Sequence, residues 1–202
     1  MEEITETSGL DHELPETAEE RRYLEQRFEA EAVEPRPLPV LNTLKKSGLF
    51  DLLHFACHGD IMHSRLMMEG RLQNDLYVPA YLDTSLIEQN ANLQAPDGTR
   101  SMVVLNACQS GRAGFKLTGL GGFAQAFLGN GAGAFIGALW SVGDYPARTF
   151  TEAFYNELSQ GTALARATKT AGDEARKAGD ATWLAYAVYG HPHAVLRTTQ
   201  AS

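Results

Sequence analysis

The chain has 202 residues, 44% of them hydrophobic and 21% charged, and its formal net charge at pH 7 is -8. This length and composition are typical of one globular domain that buries a core without disulfides or a structural metal. The acidic balance excludes the basic face that nucleic-acid binding requires. No apolar run reaches the roughly 18 residues of a membrane-spanning helix, so neither nucleic acid nor a membrane is an expected partner.

Negative charge is concentrated near the N-terminus. Residues 1–34 hold 12 of the 25 acidic residues and 3 of the 17 basic ones, so this segment carries -9 and the remainder +1. Few large apolar side chains occur in residues 1–15, which predicts a disordered acidic arm. The Glu-rich start excludes a secretory signal peptide. Two cysteines, Cys57 and Cys108, do not form a disulfide framework, so we expect a reducing, cytoplasmic location.

A helix is predicted directly after the arm. Thr17 and Glu20 have the spacing of a capping box, and Leu24 and Phe28 form an apolar i,i+4 pair. The elements predicted beyond a connector at 35–37 are, in chain order, a short helix at 40–44, a buried strand at 52–57, a hairpin at 64–72 that turns near 69–70, a helix at 83–89, a loop at 90–100, a strand at 102–106, a helix at 119–128, a strand at 134–140, a helix at 147–158, an Ala-rich helix at 163–178 and a last strand at 183–189.

This alternation of strands and helices predicts an α/β fold. We expect a mainly parallel sheet with helices on both faces. In such a sheet, ligands collect beyond the carboxyl ends of the strands. His58 and Cys108 both stand at the predicted ends of buried strands, each closely followed by glycine. They are therefore the first candidates for a site.

A thiol and an imidazole brought to one edge of a sheet can form a nucleophile and its acid–base partner. Cys108 would attack a carbonyl carbon, and His58 could take up and return a proton near neutral pH. Glycine at position 59 is expected to let the backbone turn tightly. The N–H groups of Gly59 and Cys108 would then form an oxyanion hole. Taken singly, each residue also fits a structural role, a buried cysteine and a turn histidine.

The residues around this pair resemble the two signatures of the CHAT domain family, which consists of caspase-like domains often associated with tetratricopeptide repeats. The stretches concerned are His54-Phe55-Ala56-Cys57-His58-Gly59 and Leu105-Asn106-Ala107-Cys108-Gln109-Ser110-Gly111. Further similar positions follow in order at 119–120, 123–124, 133–134, 140–142, 154, 155, 158, 183, 189, 190 and 192.

The resemblance covers about residues 16–194, and it implies a caspase-like three-layer sandwich with a His–Cys dyad. It assigns the acid–base role to His58 and the nucleophile to Cys108, 50 residues apart, near the spacing of about 50 in caspases. We accordingly divide the chain into the arm at 1–15, a peptidase domain at 16–196 and a tail at 197–202. No cofactor is expected.

Other polar and aromatic positions are candidate substrate contacts. Asp60, Asp144 and the strand end Trp140-Ser141-Val142 could hold an extended peptide, which would pair with the strand end by β-augmentation. An acidic residue there would favour a basic side chain before the scissile bond, although solvated loop aspartates are an equally good interpretation. His54 is expected to be a buried, hydrogen-bonded histidine, and Cys57 a core residue. A metal site has no ligand spacing to support it.

The first functional hypothesis is a cysteine endopeptidase that cleaves a protein partner. Its control would come from a regulatory partner or a sensing-repeat domain. The second hypothesis is a non-catalytic, caspase-like interaction module in which the dyad is unused. A third is a redox-sensing thiol at Cys108. Modification of Cys108 by a thiol-reactive peptide probe, dependent on His58, would favour the enzyme.

Overall fold

The computed structural model describes residues 15–60, 63–74, 76–109, 117–140, 142–179 and 181–196, with backbone alone at 15–17, 107–109 and 117–121. The strands in these ranges are β1 (Leu52–Asp60), β2 (Arg65–Gln73), β3 (Leu76–Asp83), β4 (Met102–Gln109), β5 (Ala134–Ala138) and β6 (Tyr186–Gly190). The helices are α1 (Pro15–Phe28), α2 (Pro37–Leu44), α3 (Thr84–Asn90), α4 (Leu117–Gly129), α5 (Asp144–Ser159), α6 (Leu164–Ala178) and a 3₁₀ turn, Thr182–Leu184.

The six strands form one sheet in the order β3-β2-β1-β4-β5-β6. Parallel pairing joins β1 to β4 and β4 to β5, whereas β1–β2, β2–β3 and β5–β6 are antiparallel. The α/β prediction is therefore confirmed, but the expectation of a mainly parallel sheet holds only for the three central strands. Short connections explain the β1–β2 and β2–β3 pairs, since a tight hairpin can join only antiparallel neighbours. The chain reaches β6 through α5, α6 and the 3₁₀ turn, and β6 then joins the sheet in the opposite direction to β5.

Helices cover both faces of the sheet, as predicted. Successive side chains on a strand point to opposite faces of the sheet. On β4, Val103 and Leu105 therefore belong to one core, which they share with α2, α3 and α4. Met102 and Val104 belong to the other core, which they share with α1, α5 and α6. The most central strand residues, such as Ile136, are completely buried. The fold is thus a three-layer sandwich.

The hairpin predicted within residues 64–72 is wrong, because most of this stretch forms the single strand β2. The hairpin in the structure consists of β2 and β3. Residues 69–70 belong to β2, and the chain reverses between Gln73 and Leu76. The register shifts between Met68 and Arg71, so two residues of β2 stand opposite one residue of β3. This is a β-bulge. The Glu69-Gly70 pair that predicted a turn marks the bulge instead.

The N-terminal helix differs from its prediction at the first turn. Helix α1 begins at Pro15, so Thr17 is already helical and the capping-box prediction is wrong. Pro15 itself was assigned to the predicted disordered arm. The rest of that arm and the predicted tail at 197–202 lie outside the described residues. Asp83 does cap a helix, because its carboxylate accepts a hydrogen bond from the Leu86 backbone N–H at 2.8 Å and opens α3.

Candidate active site

The carboxyl ends of the parallel strands β1, β4 and β5 meet at one edge of the sheet. Strands β1 and β4 pair in register over their whole shared length, from Leu52 with Met102 to Gly59 with Gln109. In this register His58 and Cys108 are direct Cα partners. Among the described helices, none is long and apolar enough to cross a membrane.

His58 is partly buried, and Gly59 is buried beside it within β1. Gly59 pairs with Gln109 of β4 on one side and Leu66 of β2 on the other. The expectation that the chain turns at Gly59 is therefore wrong, since β1 continues to Asp60.

Asp60 ends β1 and is bound by two basic side chains. Arg65 Nε donates to its Oδ2 at 3.0 Å, and His63 Nδ1 lies 2.8 Å from the same oxygen. Burial tends to raise the pKa of Asp60, but the hydrogen bonds from His63 and Arg65 outweigh it and hold that pKa below its ordinary value. The Arg65 guanidinium also lies 3.9 Å from the centre of the Tyr81 ring. Asp60 is thus an ionised carboxylate whose charge is compensated.

The other predicted substrate contacts follow β5. Trp140 is partly buried and packs against a small cluster that contains the buried Val142 side chain. Only backbone groups of Val142 can therefore offer substantial contact at the surface. Asp144 occupies the first turn of α5, where a negative charge is favoured by the helix dipole. Ser141 lies outside the described residues.

The predicted roles of His54 and Cys57 agree with the structure. Cys57 packs against the core on the α2, α3 and α4 side of the sheet. His54 is buried on the opposite side, where its Nδ1 lies 2.8 Å from the Tyr155 hydroxyl. Burial raises the pKa of Tyr155 well above its ordinary value, and the nearby negative charge of Glu20 adds to the effect. Tyr155 therefore keeps its proton, and its hydroxyl is the hydrogen-bond partner of His54 Nδ1.

Sequence reasoning missed Glu20 as a partner of the strands that carry the pair. Its carboxylate is 3% exposed and accepts a hydrogen bond from Asn106 Nδ2 at 3.0 Å. His54 Nε2 lies 3.4 Å from the same carboxylate oxygen. The available signal was the spacing of Glu20, Leu24 and Phe28, which puts a carboxylate on the apolar stripe of α1.

The described side chains contain no group of three His, Cys, Asp or Glu residues arranged to hold a metal ion. Cys108 is not among those side chains. The groups that the sheet does bring to one edge are a histidine, backbone N–H groups and the strand position of a cysteine. These groups suit acyl transfer through a covalent thioester.

The comparisons with known proteins agree with this architecture. The CHAT domain model matches residues 5–191. Among solved structures, the chain is similar to the Arg-specific cysteine proteinase gingipain R, with a TM-score of 0.58 and 14% sequence identity. The match covers 92% of this chain and 43% of the gingipain chain, so this protein spans less than half of that structure. No curated protein matches the chain. The match over most of its length shows that the chain belongs to the CHAT domain family, and it has a caspase-like fold.

Proposed function

We propose that the protein is a cysteine endopeptidase that cleaves a protein substrate through His58 and Cys108. The observation that carries the proposal is the register of β1 and β4, in which these two residues are Cα partners at the carboxyl ends of parallel strands. Paired positions on neighbouring parallel strands share a face of the sheet. The two side chains of a dyad must lie on the same face of the sheet, and near the strand ends they can also be reached by a substrate.

The proposed reaction has two steps. The Cys108 sulfur forms a bond to the scissile carbonyl carbon as its proton passes to His58, and the tetrahedral oxyanion is held by the Gly59 and Cys108 N–H groups. His58 then returns the proton to the leaving amine as the C–N bond breaks, which leaves a thioester. Water, deprotonated by His58, hydrolyses the thioester and restores the thiol. One oxyanion donor contributes about 3 to 4 kcal/mol to lowering such a barrier.

The proposed substrate cleft lies beside β5. An extended peptide would run along Trp140, Ser141 and Val142 by β-augmentation, with Asp60 and Asp144 near the residue that precedes the scissile bond. Because Arg65 already compensates the charge of Asp60 and His63 also hydrogen-bonds to it, we assign the preference for a basic side chain mainly to Asp144. The Arg specificity of the similar gingipain R supports the same class of substrate.

The proposed protease would work in a reducing compartment, because the nucleophile must stay a free thiol. We propose the cytoplasm as its location. A partner or a sensing-repeat domain would control access to the cleft.

The dyad is tested by the reaction of Cys108 with iodoacetamide at pH 6, followed by mass mapping of the alkylated peptide. An ordinary thiol, with a pKa of about 8.5, reacts slowly at this pH, whereas a thiolate activated by histidine reacts fast. We expect His58→Ala to slow alkylation of Cys108 strongly. Cys57→Ala is the matched control, since Cys57 neighbours His58 but packs in the opposite core. Equal rates with and without His58 would contradict the dyad.

Cleavage itself is tested with a library of fluorogenic peptides that differ at the residue before the reporter group. We expect Arg and Lys peptides to be cut and Cys108→Ala to abolish the cleavage. Wild-type cleavage by the Cys108→Ala protein would exclude the mechanism. A folded wild-type protein whose Cys108 shows no reactivity, either to iodoacetamide or to a peptidyl probe, would favour the non-catalytic interaction module.

A further inference from the structure

Helix α1 places a carboxylate in the interior, directly against the strands of the proposed dyad. Glu20 is 3% exposed, and burying an unpaired charge is strongly unfavourable. Burial alone would raise its pKa, but electrostatic attraction to His54 and hydrogen bonding with the surrounding polar groups, Thr151 and Asn106 among them, outweigh this effect and lower the pKa of Glu20. The carboxylate is therefore ionised and compensated by strand residues.

The donors around this carboxylate come from both strands of the pair. On the β4 side, Asn106 Nδ2 donates to Glu20 Oε1 at 3.0 Å and to Oε2 at 3.3 Å. On the β1 side, His54 Nε2 lies 3.4 Å from Oε1. At 3.4 Å this contact is longer than an ordinary N–H···O hydrogen bond, so it acts mainly as an electrostatic attraction. Two strands thus converge on one side chain of a helix.

Asn106 and His54 also contact a tyrosine through their other polar atom, which fixes the orientation of each side chain. The Tyr186 hydroxyl of β6 donates to Asn106 Oδ1 at 3.0 Å, and the Tyr186 ring stacks on Phe150 with centroids 3.6 Å apart. Tyr155 of α5 holds His54 Nδ1. Both polar ends of the Asn106 amide and both nitrogens of the His54 ring therefore face a defined group.

This network is close in sequence to the proposed dyad. Asn106 precedes Cys108 by two residues in β4, and His54 precedes His58 by four residues in β1. We infer that Glu20 is a positioning residue that holds the ends of β1 and β4 at the separation the dyad requires, and that α1 is part of the catalytic unit. The inference rests on the proposed function, since it assigns a role in the same site.

A carboxylate is needed because two N–H groups converge on its Oε1 and Asn106 also reaches its Oε2. Glutamine at position 20 removes the charge. If its oxygen stays at the Oε1 position, its NH2 group replaces Oε2, 3.3 Å from the NH2 group of Asn106, so that two donors face each other. Asn106→Asp alone places two carboxylates against each other. The double variant E20Q/N106D restores both contacts, because the introduced amide would donate to the new carboxylate and its oxygen would face His54 Nε2.

The experiment measures alkylation of Cys108 by iodoacetamide at pH 6, well below the melting temperature of each variant. We expect E20Q to react about 10-fold or more slowly than wild type, since a misplacement of about 1 Å can cost as much as 100-fold. The double variant should recover most of the wild-type rate. Arg21→Gln is the matched control, because Arg21 is on the same helix and its side chain is exposed in an ion pair with Glu25.

The outcomes separate the inference from the proposed function. If H58A reacts as fast as wild type, the dyad itself fails. If H58A is slow and folded E20Q reacts like wild type, only the positioning role of Glu20 fails. Recovery of reactivity in the double variant E20Q/N106D supports the inference. If E20Q reacted slowly only because it was less stable, a second substitution would lower the stability further and would not restore the rate. If E20Q does not fold, a folded double variant that reacts as slowly as H58A overturns the inference.

Discussion

Glu20 shows how a buried charge is made compatible with a core. Glu20 is on α1, whose Leu24 belongs to the core that also contains Phe154 and Ile136, and a buried carboxylate stays ionised only if donors replace water. Asn106 and His54 supply them. Removal of one partner from such a set is costly because the other polar groups stay buried.

The stability of the protein should depend on the charge of Glu20. Its pKa in the folded protein is below the ordinary value of 4.5, so the folded state binds this proton less readily than the unfolded state. The stabilisation is therefore present above about pH 4.5 and is lost as the pH falls through the lower, folded-state pKa. We expect E20Q to be less stable at pH 7, with a difference from wild type that narrows in acid.

Urea unfolding of both proteins at several pH values between 7 and 3 measures this difference. Other carboxylates with lowered pKa values, such as Asp83 and Asp173, titrate in both proteins and cancel in the comparison. Parallel curves of unfolding free energy against pH would show that the Glu20 charge does not contribute.

At the scale of elements, the β2–β3 hairpin is shaped by its bulge. Gly70 occupies β2 opposite Val78 and Pro79, and its N–H donates to the Tyr77 hydroxyl at 2.9 Å. Proline fits the edge strand β3 at this point because it has no N–H to donate to a ladder. The bulge lets the hairpin twist away from the sheet.

Substitution of Gly70 by alanine should destabilise the protein. An added Cβ would overlap the Val78 carbonyl oxygen and lie 2.9 Å from Pro79 Cα, both of them backbone atoms. We expect a loss of about 1 to 3 kcal/mol, as for other overpacking changes. Gly129→Ala is the control, since nothing lies within 4 Å of its added Cβ. Chemical unfolding of both variants measures the difference, and equal stabilities would contradict the steric argument.

Helix α1 is attached to the rest of the molecule by more than Glu20. Leu24 is 8% exposed in the core, and the Tyr23 hydroxyl donates to the Glu152 carbonyl of α5 at 3.1 Å. The Phe28 and Tyr155 rings meet edge to face with centroids 5.7 Å apart. These apolar contacts hold the helix in place, which leaves the Glu20 carboxylate available to orient the strands.

At the scale of the whole molecule, the core ends partway along the hairpin. Leu66, near the start of β2, is completely buried, whereas Leu72 of the same strand is 71% exposed. Helices α2 and α3 pack over the near half of the hairpin and not over its tip. The far half therefore extends beyond the sandwich.

Leucine-to-alanine changes at these two positions form a matched pair. We expect Leu66→Ala to cost about 2 to 5 kcal/mol, because it leaves a cavity in the core. Leu72→Ala should change the free energy of unfolding by no more than about 0.5 kcal/mol. Guanidinium unfolding of the two variants gives both values, and a large effect at Leu72 would show that the tip packs against another surface.

The sequence alone predicted much of this architecture. Apolar runs identified β1, β4 and β5, and the 3.6-residue spacing of Ala147, Phe150, Phe154 and Leu158 identified α5. Both signals are local, because the spacing of apolar residues within one strand or helix reflects which of its faces is buried. Strand β3 was not predicted, and β6 was predicted as a strand without its antiparallel direction, since strand direction depends on which neighbour the chain meets after folding.

For the candidate site, too, some features could be predicted from the sequence and others depend on the tertiary structure. The sequence by itself identified His58 and Cys108 as the candidate pair and indicated the family, because residue type and order along the chain carry that information. Only the tertiary structure decided that these residues are Cα partners on adjacent strands, that Gly59 is inside β1, and that Glu20 faces Asn106 across 86 positions of sequence. The physical reason is that the groups that stabilise a buried carboxylate lie on other elements of the fold. The residue pattern of α1 contains no information about which groups these are.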